Sequence, residues 1–153
     1  MSKVIMTYGT FDMFHVGHLN LLHRLMKLGD KLIVGVSTDE FNLQKNKRSF
    51  IPYIHRKAIV GAIEGVDLVI PEEDWDQKIS DIQRYGITTF AIGSDWTGKF
   101  DFLKEYCEVL YLERTSGIST TEIKNALKTF TSVSREDVLQ AIDILQKLKN
   151  DFE

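Results

Sequence analysis

The sequence predicts an α/β fold built on a parallel sheet. Three observations predict it. Five short runs are enriched in Val, Ile and Leu, at residues 3–8, 31–37, 66–70, 89–93 and 108–112. They read as near-continuous apolar stretches, as strands covered on both faces require. Helical patterns alternate with them, which argues for parallel neighbours joined by right-handed crossovers. Finally, the first run passes through a short glycine-containing turn directly into a leucine-rich helix.

Each helix carries its own boundary signals. The pattern at 18–28 stops before Gly29, a fitting C-terminal residue, and the one at 53–64 starts after Pro52 and stops before Gly65. The pattern at 75–85 stops before Gly86. Ser119 and Glu122 form an S-x-x-E capping box, so a helix should begin at Ser119. Beyond Leu127 a further helix is marked by Val138, Ile142, Leu145 and Leu148, with Ser134 and Asp137 spaced as a second capping box. The expected organisation is one domain at 1–128 and a helical extension at 129–153, packed on that domain or on a partner copy.

Composition narrows the function classes. At 153 residues the chain can bury a real core, and its 43% apolar content is ordinary for a globular protein. A net charge of −3 supplies no global basic field, which argues against broad nucleic-acid binding. Any anion site must be a local basic cluster. Cys107 is alone, so neither a disulfide framework nor a cysteine metal site forms within one chain, and its reading is a small buried hydrophobe. No apolar run has membrane-spanning length, and the N-terminus lacks a secretory pattern, so the expected location is cytoplasmic.

The most informative segment is Gly9-Thr10-Phe11-Asp12-Met13-Phe14-His15-Val16-Gly17-His18. A tight turn at a helix start offers backbone N–H groups and the positive end of a dipole to a phosphate. Gly17, between two histidines, lets an anion or base approach the backbone. As isolated residues, His15 and His18 would be read as solvent-facing. A zinc site is disfavoured, because no cysteine lies nearby and His23 and His55 do not continue a ligand pattern.

This segment resembles the H-x-G-H signature of the nucleotidyltransferase superfamily. Arg114-Thr115-Ser116-Gly117-Ile118-Ser119-Thr120-Thr121 resembles the R-T-x-G-I-S-T-T signature of its cytidylyltransferase branch. The stretches Ser37-Thr38-Asp39-Glu40-Phe41-Asn42 and Trp96-Thr97-Gly98-Lys99-Phe100-Asp101-Phe102-Leu103 are similar to the glycerol-3-phosphate cytidylyltransferases in particular. The similarity runs from about Val4 to Leu127, and the two signatures lie in the right order.

The resemblance implies a Rossmann-like, doubly wound five-stranded sheet of order 3-2-1-4-5, with the site outside the carboxyl ends of strands 1 and 4. It implies transfer of CMP from CTP to sn-glycerol 3-phosphate, with Mg²⁺ carried by the CTP phosphates, and a homodimer. Nucleotide contacts would come from Thr10, Phe11, His15, Val16, Gly17, His18, Lys47, Asp95 and the segment from Arg114 through Thr115, Ser116, Gly117, Ile118, Ser119, Thr120 and Thr121. Lys45, Arg56 and Lys78 would bind the acceptor, and His15, His18, Lys45 and Arg114 would carry catalysis.

Several of these residues keep a plainer reading. Asp12 braces the turn, since this reaction lacks an obligatory base. The run Lys45-Asn46-Lys47-Arg48 is otherwise a solvated loop, Arg56 a surface salt bridge and Lys78 an exposed helix charge. Asp95 either accepts from ribose hydroxyls or supports its loop; Trp96 either packs or stacks on a base. Phe50-Ile51-Pro52 is the least typical stretch and lies beside the lysines. Rival acceptors, adenylyl transfer and a non-catalytic CTP sensor are the competing functions.

Overall fold

The computed structural model describes residues 2–114, 119–131 and 134–152. The chain divides into two compact units, Met1–Thr120 and Thr121–Glu153. The first unit is built on strands β1 (Val4–Gly9), β2 (Lys31–Ser37), β3 (Leu68–Glu72), β4 (Thr89–Gly93) and β5 (Glu108–Leu112). All are parallel, in the order β3-β2-β1-β4-β5. Helices α1 (Val16–Met26), α2 (Asp39–Gln44), α3 (Tyr53–Ala62) and α4 (Gln77–Tyr85) fill the crossovers.

Alternation along the strands sorts the core into two clusters. Met6 and Tyr8 join Ile33, Ile82, Phe90, Phe100 and Leu103 on one side. Ile5 joins Leu22, Leu25, Leu32, Val34 and Val60 on the other. Each such side chain contributes roughly 1.5–3 kcal/mol on burial. One short ladder matters for function. β1 pairs with β2 from Val4↔Lys31 to Gly9↔Val36, but with β4 only at Ile5↔Thr89 and Met6↔Phe90. Past Met6 the β1–β4 ladder stops, at the topological switch point where ligands bind in such sheets.

Several element boundaries differ from expectation, each for a local reason. α1 starts at Val16 because His15 caps it. β3 runs on to Glu72 through Pro71, whose missing N–H is tolerated on an edge strand. α3 ends at Ala62 and α4 starts at Gln77. Gly86 does cap α4 in the left-handed conformation, with φ 61°. Gly29 is different: α1 ends earlier, at Met26, and a Cβ on Gly29 would come within 2.7 Å of the Lys3 carbonyl oxygen. It is glycine for room, not as a cap.

Helix α5 spans Thr120–Thr131 and starts one residue after Ser119. Helix α6 spans Arg135–Asp151. Ser134 caps α6 by accepting from the Asp137 N–H, and the Asp137 carboxylate accepts from Ser134 in return. No residue of α6 is buried.

Candidate active site

Two histidines cap α1 reciprocally, where a Ser and a Glu would usually do so. His15 Nδ1 accepts from the Gly17 N–H at 3.0 Å, and His18 Nδ1 accepts from the His15 N–H at 3.2 Å. A neutral imidazole that accepts at Nδ1 carries its proton on Nε2. Both rings therefore present Nε2–H donors. The rings stack with centroids 4.0 Å apart, and both Nε2 atoms lie 3.3 Å from the Thr120 hydroxyl oxygen. That hydroxyl donates onward to the Asp12 carbonyl. Burial, and then the neighbouring His15, pushes His18 down to about 4, against the opposite pull of Asp12. Burial lowers His15 as well. Two neutral donors thus converge on one oxygen at the head of the crevice.

The loop that delivers them is tightly wound. Phe11 and Met13 both adopt left-handed φ values, 53° and 47°, an uncommon conformation for non-glycine residues and one that clusters at functional sites. The buried Phe11 ring packs on Phe14 and His18. Asp12 is a brace: its carboxylate accepts from the Phe50 and Ile51 N–H groups at 2.8 and 2.9 Å. The atypical Phe50-Ile51-Pro52 stretch is thereby tied to the histidine loop.

Arg56 sits beneath both loops and is only 1% exposed. It donates to the carbonyls of Thr10, Ser37 and Ile51 and pairs with Asp39 at 2.9 Å. Four of its five N–H groups are engaged by the protein. This corrects its reading as a surface salt bridge. Its side chain ties together the loops that follow β1 and β2.

The second half of the site lies beyond β2 and β3. Lys45 is the C-cap of α2, and Asn46 turns the chain with φ 57°, as a C′ residue can. This turn points Lys45 inward and leaves Lys47 exposed, 6.0 Å from the Trp96 ring centroid. Lys78 is buried, not an exposed helix charge. Lys45 and Lys78 flank one carboxylate: Glu72 lies 3.7 Å from Lys45 Nζ and 3.0 Å from Lys78 Nζ. Lys45 Nζ lies 4.4 Å from the Phe41 centroid, and Lys78 Nζ 4.7 Å from that of Tyr8. Trp75, between Phe41 and Trp96, closes the wall. The Tyr8 ring can lie across β2 because Gly35 has no side chain; a Cβ there would collide with it. Burial lowers Lys45, and Lys47 and Lys78 add to that, while Glu72 opposes it.

Glu72, Trp75 and Tyr8 escaped the sequence reading. Glu72 opens an acidic run, Glu72-Glu73-Asp74, that looks like solvated loop, and Trp75 follows it. The available signal was position: Glu72 ends a strand on the edge where ligands bind in such sheets.

On the far side, Asp95 and Arg114 follow β4 and β5 on the same sheet edge and form an ion pair with each other. The pair joins the turn after β4 to Arg114. Trp96 packs against Phe100, with Lys99 over its face. Thr115, Ser116, Gly117 and Ile118 lie outside the described residues, and Thr121 is the second residue of α5. Among the described residues no group of three or more His, Cys, Asp or Glu could hold a metal.

A strand–turn–helix with paired imidazole donors, together with a lysine pair beyond the carboxyl ends of β2 and β3 in the same parallel sheet, suits two phosphate-bearing substrates. The profile of the cytidylyltransferase-like family matches residues 6–126. The chain belongs to this family. The cytidylyltransferase-like region is 68% identical over 124 residues to a glycerol-3-phosphate cytidylyltransferase of Bacillus spizizenii, covering 81% of this chain and 95% of that one. Its identity to the Bacillus subtilis protein of the same name is 58% over 127 residues, covering 83% and 98%. Among solved structures, a lipopolysaccharide core biosynthesis protein from Thermoplasma volcanium shares the cytidylyltransferase-like fold at a TM-score of 0.66 and 22% identity, covering 76% of this chain and all of that one. Helix α6 lies outside the family match.

Proposed function

We propose that this protein is a glycerol-3-phosphate cytidylyltransferase, transferring CMP from CTP to sn-glycerol 3-phosphate to give CDP-glycerol and pyrophosphate. The observation that carries the reading is the 68% identity to a relative of that name over 95% of its length. The geometry supports the reaction type. An acceptor phosphate is already a nucleophile, so no covalent intermediate or general base is needed. Its oxygen attacks the α-phosphorus, the new P–O bond forms, and the bond to pyrophosphate breaks in line. Catalysis then consists of positioning and of stabilising developing charge.

The Nε2–H donors of His15 and His18 face the α-phosphate oxygens, in the place the Thr120 oxygen marks. Lys45 and Lys78 hold the acceptor phosphate. Lys47 and Arg114 reach the outer CTP phosphates. Mg²⁺ would arrive with CTP as the counter-ion of its phosphates, and no step is assigned to it. We further place the enzyme in the cytoplasm as a homodimer, supplying CDP-glycerol for teichoic-acid-like or capsular polymers. No described helix is long and apolar enough to cross a membrane. The test is pyrophosphate release with CTP or ATP across a panel of phosphorylated acceptors. CTP with glycerol 3-phosphate is expected to give the highest kcat/KM. Faster turnover with phosphoethanolamine, a sugar phosphate or ATP would overturn the assignment.

A further inference from the structure

We propose that Glu72 is a specificity-determining residue: its carboxylate accepts the hydroxyl protons of the polyol acceptor while Lys45 and Lys78 take the acceptor phosphate. The inference rests on the reading of glycerol 3-phosphate as acceptor and assigns the part of the site that reads its glycerol end.

Glu72 is 4% exposed at the carboxyl end of β3, where a carboxylate is costly unless partnered. Each of its oxygens faces one ammonium, Oε1 towards Lys45 and Oε2 towards Lys78. An ionised carboxylate has about four acceptor positions, so two lysines leave room for a hydroxyl at either oxygen. The described rings around the two lysines are aromatic. Phe41, Trp75 and Phe100 present ring faces or edges to the lysines, and Tyr8 has committed its hydroxyl proton to Asp81 at 2.6 Å. Two ammoniums and one carboxylate leave a single net positive charge. That suits a phosphate on an uncharged tail carrying hydroxyl donors. A site that hydrogen-bonds a hydroxyl rejects the analogue lacking it far more strongly than an apolar pocket could.

The measurement is the preference for glycerol 3-phosphate over n-propyl phosphate, the same chain without hydroxyls, at saturating CTP. It is read as kcat/KM, or as an inhibition constant where turnover is below detection. The wild-type preference is expected to be about 10²-fold or more, and Glu72→Ala should cut it at least about tenfold, chiefly by losing glycerol 3-phosphate. Glu72→Gln keeps an acceptor oxygen without the charge and should fall between, with the KM for CTP unmoved in both. It also keeps the test decisive should the alanine variant not fold. Equal weakening of both acceptors, with the preference intact, would reduce Glu72 to a spacer between lysines and overturn the proposal. Failure of the wild type to use glycerol 3-phosphate at all would instead sink the functional reading on which the proposal stands.

Discussion

The two ends of the crevice solve the problem of binding phosphate in opposite ways. At the head of α1 the groups are neutral: two imidazoles whose Nδ1 atoms are consumed in a cap, leaving Nε2–H donors aimed at one point. Beside β3 the groups are charged: two ammoniums, nearly buried among aromatic rings and held apart by one carboxylate. The difference follows from what each end must do. Where charge develops during reaction, fixed dipoles that need no reorganisation are effective. Where a fully formed phosphate must be captured, point charges on long stems serve better. One end is tuned by backbone geometry, the other by side-chain electrostatics.

The largest expected effect comes from the residue beneath both ends. Arg56→Ala removes the donors that tie the carbonyls of Thr10, Ser37 and Ile51 and leaves Asp39 without its buried guanidinium. Stripping one partner from such a network costs about 3–5 kcal/mol. Urea denaturation should show that loss, and CTP and acceptor affinity should fall together. An unchanged unfolding midpoint would mean that the loops do not depend on Arg56.

Next comes the histidine end. His18→Ala removes one convergent donor and half of the α1 cap. Loss of an oxyanion-type donor lowers kcat by about 10²-fold or more, seen as pyrophosphate release at saturating substrates, with little change in the acceptor KM. Lys45→Ala sharpens the contrast, because it should do the reverse. Hydrogen bonds to charged groups contribute about 1.5–3 kcal/mol, so the KM for glycerol 3-phosphate should rise about tenfold or more while that for CTP barely moves. Burial also lowers Lys45, so the alkaline loss of acceptor binding should begin below the ordinary lysine range and vanish in the variant. A larger effect on CTP than on acceptor would reverse the two ends of the site.

How much of this was legible depends on whether the signal is local. β2, β4 and β5 match the expected bounds, because each is a short, mainly apolar run, buried in β2 and β4 and half-buried in the edge strand β5. Ser134 and Asp137 form the cap their spacing promised. The strand order came from the resemblance, since periodicity cannot rank strands. Arg56 and Lys78 look like surface charges in sequence, and only the fold reveals that both are buried among partners. Glu72 was invisible for the same reason: its meaning lies in two lysines, one 27 and the other 6 positions away in the chain. The histidines show both limits at once. Their motif was readable, but the reciprocal cap that fixes their tautomer is a matter of angles.

That cap yields the smallest and most specific prediction. An unfolded histidine titrates near 6.5, whereas folded His18 is pushed down to about 4. Between these values the unfolded chain binds more protons than the native one, so stability rises with pH across the window and is lost as pH falls from about 7 towards 4. His15, also lowered by burial, adds in the same direction. Carboxylates contribute their own acid dependence, so the informative quantity is a difference. His18→Asn offers a side-chain oxygen for the cap but nothing that titrates there. Its thermal midpoint should fall less steeply than that of the wild type between pH 7 and pH 4.5, by about 2 °C or more for a chain of this size. Parallel curves would mean that His18 is protonated in the native state. Its Nδ1 would then be a donor, the bond from the His15 N–H could not exist, and the neutral end of the crevice would carry a charge like the other.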